Sequence, residues 1–252
     1  MLGQRIFSFG LITSNLEKRT REKVLKNSIA VIFVLLIFGV CAAAQTVGTA
    51  PEDDNQIWHE TVVGIPITKE LNLNLTGVLR FGGGRRDFVD NRAGVGFSYK
   101  VNKYLTAGSG YLYRVTEFVR NRKNYENRFI GFFALGKSFG KFNVSDRNQF
   151  EFHARNSRPD KFNYRNRLLV ERVIKRKKFE IKPFASAEAF YDSQFDKFSR
   201  LWLTIGANKK LFKNLSLDVY YLRQQDGQSR PGNLNVFGTT LRFNFDFFEI
   251  NK

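Results

Sequence analysis

The C-terminal stretch from Asn235 to Phe248 carries mostly apolar side chains at odd positions and mostly polar or small side chains at even positions. Because successive side chains of an extended chain point to opposite sides, the two kinds lie on opposite faces of a β-strand, whereas a helix would mix them. A face this rich in phenylalanine, opposite a mostly polar face, is typical of a strand that separates lipid from water. The stretch therefore predicts the closing strand of a transmembrane β-barrel. The apolar face carries Phe237, Thr239, Leu241, Phe243, Phe245 and Phe247, and the other face carries Val236, Gly238, Thr240, Arg242, Asn244 and Asp246.

The N-terminal residues have the parts of a secretory signal peptide. A basic flank precedes an apolar run from Ile29 to Val40, and then Ala42 and Ala44 precede Gln45 in the A-x-A pattern of a cleavage site. The apolar run is shorter than the roughly 20 residues of a spanning helix, which argues against a permanent membrane anchor. We predict cleavage after Ala44, with a leader of residues 1–44 and a mature barrel domain of residues 45–252. The basic flank consists of Arg19, Arg21, Lys23 and Lys26.

The chain carries a net charge of +18, and removal of the leader reduces it to +14, with thirty-five basic and twenty-one acidic residues. Such a basic chain would ordinarily suggest a nucleic-acid partner, but export and the lack of any nucleic-acid-binding motif argue against one. The single cysteine, Cys41, lies in the leader. The mature chain therefore has no thiol for a disulfide or a metal site, and we expect no cofactor.

The mature chain repeats extended runs of about ten residues, the length that a tilted strand needs to cross a membrane. Short turns and longer polar loops separate about eleven such runs. Bacterial single-chain barrels have an even number of strands, with both termini in the periplasm, so one upward strand is missing. Gln45 to Ala50 is the best candidate for it. The predicted fold is an all-β, transmembrane, antiparallel up-and-down barrel of 12 strands, with 10 as the alternative.

Alternation alone does not say which face is wet, because a soluble periplasmic β-sandwich also alternates, with its apolar face inward. The leader, the phenylalanine-rich closing strand and the regular exchange of short turns for long loops favour the membrane barrel. The long predicted loops include Gly82 to Asp87 and Glu117 to Asn124. We therefore predict a bacterial outer-membrane location after export.

Several segments resemble the domain-of-unknown-function 2490 family. They are Gln56 to Glu60, Ile65 to Leu75, Leu79 to Phe81, Arg147 to Glu151 and Tyr164 to Leu168. The likeness covers nearly all of the mature chain. It implies an outer-membrane barrel and supplies no activity, ligand or catalytic residue.

Seven arginines fall on the polar face of their strands and are candidate pore-lining residues. One interpretation is a structural barrel whose lumen is cross-linked by salt bridges to acidic residues on the same face. The other is a passive, porin-like channel that favours anions, because fixed cations in a narrow pore lower the barrier for negative solutes. The candidates are Arg80, Arg92, Arg114, Arg147, Arg165, Arg167 and Arg242, and the acidic residues are Glu151, Glu171, Glu180, Glu188, Asp218 and Asp246.

The predicted external loops are also basic, so their cations are expected to contact outer-membrane lipid, including lipopolysaccharide phosphates, or to form a solvated surface. Insertion of such a barrel implies the barrel assembly machinery as a further partner. The loop residues are Arg85, Arg86, Arg120, Arg122, Lys123, Arg158, Lys161 and Arg230.

A lipid-modifying enzyme is the catalytic alternative. It would need a serine in contact with a histidine that a third group orients. The mature chain offers His59 and His153, and neither lies near a serine motif. We predict that the chain is not an enzyme and that both histidines are structural. The triplet Gly82 to Gly84 lacks the Lys-Ser/Thr ending of a phosphate loop, and no cluster of metal ligands is evident.

Overall fold

The computed structural model describes residues 53–82, 87–119, 122–156, 158–176, 179–229 and 231–245. The predicted leader, its cleavage site and the stretch from Gln45 to Ala50 lie outside these residues. None of the described residues forms a helix long and apolar enough to cross a bilayer. The regular structure in the described ranges consists of the strands β1 (Asp53–Pro66), β2 (Leu71–Gly82), β3 (Asp87–Lys100), β4 (Leu105–Val119), β5 (Arg122–Phe139), β6 (Phe142–Arg155), β7 (Lys161–Arg172), β8 (Ile174–Arg176), β9 (Phe179–Asp192), β10 (Lys197–Phe212), β11 (Leu215–Asp226) and β12 (Asn233–Asn244).

The strands form one closed sheet. Apart from the short β8, each strand pairs with the next strand along the chain, and β7 pairs with β9. β10 pairs with both β9 and β11, and β12 pairs with β1 to complete the ring. The three-residue β8 continues β7 beyond Val173 and pairs with β9 in the same register. The described residues thus make a ring of eleven strands plus this short extension. The prediction of an all-β closed barrel is confirmed, and a β-sandwich is excluded.

The ring closes through a parallel pair. β1 and β12 run in the same direction from Asp53 opposite Asn233 to Gly64 opposite Asn244, while all the other pairs of neighbouring strands in the described residues are antiparallel. An odd number of up-and-down strands makes the first and last strands parallel. We expected an even, wholly antiparallel ring of 12 or 10 strands, and the described residues do not form one. The proposed extra strand, Gln45 to Ala50, falls outside them.

Strands extend into segments that we predicted to be loops. β3 begins at Asp87, β5 begins at Arg122, and β10 runs from Lys197 to Phe212 although only its middle was predicted as a strand. The register shifts near the loop-proximal ends of β2, β4 and β10. A bulge interrupts the alternation of side chains without ending the pairing. The alternation of apolar and polar side chains in the sequence therefore ends before the paired strand does, and the predicted strands are too short at these ends.

The two ends of the barrel differ in their connections. At one end, here called the turn end, short turns join the strands, and at the other, the loop end, the connections include residues 156–160, 193–196 and 227–232. Side chains fix the turns: Asn102 Oδ1 accepts hydrogen bonds from the backbone N–H groups of Tyr104 and Leu105. Gly140 adopts a positive φ of 62° in the turn between β5 and β6, which favours glycine.

Side chains alternate between an apolar outer wall and a filled interior. In β12, Phe237 is 56% exposed on the outer wall, whereas its neighbour Val236 is 0% exposed inside the barrel. Phe243 and Phe245 also lie exposed on the outside, as predicted, and Phe247 lies outside the described residues. Large outward side chains of other strands are exposed in the same way, including Leu75, Phe97, Tyr113, Phe129, Phe150, Ile205 and Tyr221.

The interior has a small apolar cluster as well as polar groups. Trp58, Leu222, Leu234 and Val236 are buried together, and Trp202 and Tyr220 pack against them. The inward face of the closing strand is therefore apolar at Val236, where we expected water. A close approach fixes one glycine in this region, because a Cβ atom on Gly238 would lie only 2.1 Å from the Tyr220 ring.

Candidate functional site in the barrel lumen

All seven arginines predicted to line a pore lie in the interior, where they border two cavities. A cavity of about 800 Å³ occupies the turn end and one of about 590 Å³ occupies the loop end. Arg147, Arg167 and Arg242 border the turn-end cavity, and Arg114 borders the loop-end cavity. Arg80, Arg92 and Arg165 border both.

Asp90 binds three of these arginines. Its carboxylate, 2% exposed, lies 2.6 Å from Arg92 Nη2, 2.9 Å from Arg114 Nη2 and 3.5 Å from Arg80 Nη1. The arginines come from β2, β3 and β4, so the cluster crosses three adjacent strands. It holds positive charge in excess, and Arg114 also reaches Glu126 Oε2 at 3.4 Å.

His153 lies between two carboxylates deep in the interior, at 1% exposure. Its Nε2 is 2.7 Å from Glu151 Oε2 in hydrogen-bond geometry. Its Nδ1 is 2.9 Å from Glu126 Oε1, at an angle outside that geometry. Arg128 forms ion pairs with both of these glutamates. The partners of His153 in the described residues are therefore charged groups, and the histidine is part of the same ion-paired network.

Glu151 and Glu188 join the next arginines. Arg165 Nη1 lies 2.7 Å from Glu151 Oε1, and its Nη2 lies 2.8 Å from Glu188 Oε1. Arg147 Nη2 binds the same Glu188 oxygen at 3.0 Å. Ion pairs therefore connect β3 to β9 around most of one side of the lumen, which corresponds to the cross-linked interior that we gave as one interpretation.

Stacked aromatic and guanidinium groups lie at the centre of the lumen. The Arg80 guanidinium carbon is 3.5 Å from the centroid of the Trp58 ring, and the Trp58 and Trp202 rings are 5.2 Å apart. Arg165 lies 4.6 Å over the Phe190 ring. Contacts of this kind strengthen where water is excluded. The seven residues that border both cavities, here called the central barrier, are Trp58, Arg80, Arg92, Arg128, Glu151, Arg165 and Trp202.

Basic residues outnumber acidic ones in both cavities. Among the lining residues the ratio is eight to five in the turn-end cavity and nine to five in the loop-end cavity. Arg242 is paired with Asp218 through Nη2 at 3.0 Å. Arg167 forms no ion pair or side-chain hydrogen bond within the described strands, and its Nε is buried without a partner.

A carboxylate organises one connection at the loop end. Asp226, the last residue of β11, accepts hydrogen bonds from Arg200 Nε at 2.7 Å, the Ser229 hydroxyl at 2.7 Å and the Gln228 backbone N–H at 2.8 Å. Burial alone would raise the pKa of Asp226, but Arg200, Ser229 and Gln228 together lower it below its ordinary value. This carboxylate therefore stabilises the loop above about pH 4, and the stabilisation is lost as acid protonates it.

The basic loop residues are only partly within the described chain. Lys123 and Arg158 are exposed, and Arg158 borders the loop-end cavity. Lys161 is paired with Asp192. The other residues lie outside the described ranges, or, for Arg122, have a side chain that is not described.

His59 faces the outer wall between two hydroxyl groups. Its Nδ1 is 2.9 Å from Thr239 Oγ1 across the β1–β12 pair, and its Nε2 is 3.1 Å from Thr61 Oγ1. Another polar group on the outer wall joins β6 and β7, where Asn166 Nδ2 donates to Asp146 Oδ1 at 2.6 Å.

Within the described residues, no group of three or more His, Cys, Asp or Glu is arranged to hold a metal ion.

Several residues of the interior network were missed by sequence reasoning. Asp90 lay between the predicted loop, Gly82 to Asp87, and the next predicted strand, which began at Arg92. Glu126 and Arg128 lay on a strand whose alternation was unclear. Glu126 and Arg128 alternate along β5 with the same spacing as Ile130 and Phe132, which border the lumen. That spacing could have assigned them to the interior. The meeting of Trp58 with Trp202 leaves no local signal, since it depends on how distant strands align.

A closed β-barrel with an apolar outer wall and an ion-paired, polar interior is a barrel of the outer-membrane type. The chain belongs to the family described as "Protein of unknown function (DUF2490)", whose model matches residues 55–235. The predicted family membership is confirmed.

The chain is also similar to solved barrels, at low sequence identity. LpxR from Salmonella typhimurium is 11% identical with a TM-score of 0.47, over 72% of this chain and 86% of that one. An anion-selective porin from Comamonas acidovorans is 16% identical with a TM-score of 0.36, over 70% and 54%. The siderophore receptor PirA from Pseudomonas aeruginosa is 12% identical with a TM-score of 0.26, over 64% and 33%. No curated protein sequence matches the chain.

Proposed function

We propose that this protein is a structural, non-catalytic barrel of the bacterial outer membrane whose lumen is closed at mid-height. The apolar outer wall supports a membrane location, because exposed phenylalanine, leucine and tyrosine side chains of this number would be unfavourable in water. The predicted signal peptide supports export. In this arrangement the turn end faces the periplasm and the loop end faces outward.

The central barrier carries the proposal of a closed lumen. Its charged members are held by ion pairs to buried carboxylates, and its tryptophans are packed against each other and against Arg80. Opening a path would break several of these contacts at once. Removing one partner of a buried ion pair typically costs about 3–5 kcal/mol, so spontaneous opening is expected to be rare.

Recordings in planar lipid bilayers test the closed lumen. We expect no stable single-channel steps from the wild-type protein. The double variant Trp58→Ala/Trp202→Ala, which removes the aromatic part of the central barrier, is expected to conduct. Phe129→Ala is the control, because this aromatic side chain lies on the outer wall. Steady conductance by the wild-type protein at low voltage would refute closure.

The second candidate function is a passive channel that favours anions. It is supported by the surplus of basic residues in both cavities. If the barrel opens in the membrane, we expect it to pass chloride in preference to potassium. The sign of its reversal potential in a potassium chloride gradient would show this preference. A cation-selective reversal potential, in the wild-type protein or in the double variant, would exclude this candidate.

The enzymatic alternative rests on the contacts of His59. An imidazole between two hydroxyl groups on a lipid-facing wall contains a base and potential nucleophiles. Its surroundings in the described residues include no carboxylate that orients the ring. We propose that these hydroxyls serve instead to satisfy both ring nitrogens away from water. Lipid hydrolysis by the purified protein that disappears in His59→Ala, but not in His153→Ala, would overturn this view.

We further propose lipid and the barrel assembly machinery as partners. Exposed cations at the loop end, such as Lys123 and Arg158, suit contacts with lipopolysaccharide phosphates. Co-purification of lipopolysaccharide with the wild-type protein, reduced in Lys123→Gln/Arg158→Gln, is the expected result.

A further inference from the structure

Arg147 and Arg167 stand directly opposite each other on the inner wall. They are register partners on β6 and β7, and both border the turn-end cavity. Side chains in such positions start from Cβ atoms only about 4.5–5.5 Å apart, and like charges placed there repel each other. A pair of this kind needs a nearby negative charge.

The carboxylates paired with the neighbouring arginines are already shared among several partners. Glu188 lies opposite Arg167 on β9, yet its Oε1 is bound by Arg165 at 2.8 Å and by Arg147 at 3.0 Å. Glu151 is engaged by Arg165, His153 and Gln149. Arg167 has no ion pair within the described strands, and the Nε atoms of both Arg147 and Arg167 are buried without a hydrogen-bond acceptor.

The cavity beside them has room for a ligand. At about 800 Å³ it lies in the range of small-molecule sites. The surrounding basic surplus would attract an anion into it. The planar fork of an arginine matches the oxygens of a phosphoryl group, and two such forks match one that carries two charges.

We propose that the turn-end cavity binds a small solute through a dianionic phosphoryl group held between Arg147 and Arg167. The phosphoryl oxygens accept hydrogen bonds from the accessible nitrogens of both guanidinium groups, and the Arg147 side chain is 26% exposed to the lumen. The site lies on one side of the central barrier. It therefore does not depend on conduction through the lumen.

Titration calorimetry of the detergent-solubilised protein with inorganic phosphate in low-salt buffer tests the proposal. We expect saturable binding at one site per chain. Arg167→Gln and Arg147→Gln are each expected to weaken it at least tenfold. Arg242→Gln is the matched control, because Arg242 borders the same cavity and is already paired with Asp218. It should retain binding within about twofold, in keeping with a lost charge outside the site.

Three results would overturn the proposal: no saturable phosphate binding, an equal loss in all three variants, or equal affinity for phosphate and acetate. The last would show attraction to charge without a site built for two charges. Each variant is first checked for unboiled gel mobility, so that loss of folding is not read as loss of binding. Because binding is measured in detergent, its outcome is separate from the conductance test of the closed lumen.

Discussion

Asp90 illustrates how individual residues hold the interior together. Its single carboxylate receives Arg80, Arg92 and Arg114 at a site almost without solvent. Asp90→Asn would keep the shape and leave three guanidinium groups facing one another. Since breaking a buried ion pair costs about 3–5 kcal/mol, we expect the free energy of unfolding to fall by about that amount. Urea unfolding of the lipid-reconstituted protein, followed by tryptophan fluorescence, measures it.

Glu180→Gln is the control for this change. Glu180 pairs with Lys175 and Lys182 near the turn end, where the side chains are 33%, 71% and 37% exposed. Exposed pairs contribute about 0–1 kcal/mol. Similar losses in both variants would contradict the special role of the buried cluster.

A glycine prediction tests the packing of the interior. A Cβ atom on Gly238 would collide with the Tyr220 ring, whereas a Cβ atom on Gly131, on the outer wall, would meet nothing within 4 Å. Overpacking costs about 1–3 kcal/mol, so Gly238→Ala is expected to lower the thermal midpoint of the folded barrel. Gly131→Ala should leave it unchanged or slightly raised, because alanine lowers the entropy of the unfolded chain. Loss of gel-shift mobility on heating provides the measurement.

At this scale the alternation of side chains predicted which way most charged residues face. Arg80, Arg92 and Arg114 were placed inside from parity alone. Their common partner was not predicted, because Asp90 follows a register shift between β2 and β3. The odd or even position of a residue tells which face of the strand its side chain lies on. Which side chains meet depends on the register between several strands.

The register of the parallel pair β1 and β12 can be tested by cysteine cross-linking. Ile57 faces Phe237 and Val63 faces Phe243, all on the outer wall. Neighbouring strands lie about 4.8 Å apart, within reach of a disulfide. Paired cysteines replacing Ile57 and Phe237, or Val63 and Phe243, are expected to cross-link on oxidation, and the predicted mature chain has no cysteine to interfere.

The mismatched pair, Ile57→Cys with Phe243→Cys, is the control. Six residues of offset separate these positions by roughly 20 Å along the strands. Cross-linking of the mismatched pair, with none in the matched pairs, would show that the first and last strands meet in another register. Faster migration of the boiled protein without reductant than with reductant reports the bond.

At the level of elements, the sequence located about eleven strands and the turns between them. It did not give the parity of the ring, because that depends on how two distant strands meet and on whether Gln45 to Ala50 contributes. It also placed strand ends too early where bulges occur, as between Thr116 and Val119. The alternation of side chains can break at a bulge while the backbone hydrogen bonds between the strands continue.

For the whole molecule, a closed ladder predicts resistance to detergent. We expect the unboiled protein to migrate faster than the boiled protein in dodecyl sulfate gels, since a ring without free edges unfolds slowly in the cold. Identical mobility before and after boiling would argue against a closed barrel.

The predicted leader is tested separately by N-terminal sequencing of the exported protein, whose first residue is expected to be Gln45. A first residue upstream of Ile29 would argue against cleavage.

The hydrogen bond between His59 and Thr239 joins residues 180 positions apart. The other neighbouring strands are joined by short connections, so the contacts between them are close in sequence and cost little loop-closure entropy. The β1–β12 contact instead pays the loop-closure entropy of nearly the entire domain. It is accordingly the last contact expected to form during assembly. Before that contact forms, the outer edges of β1 and β12 would be unpaired, and such edges can pair with a strand of another chain.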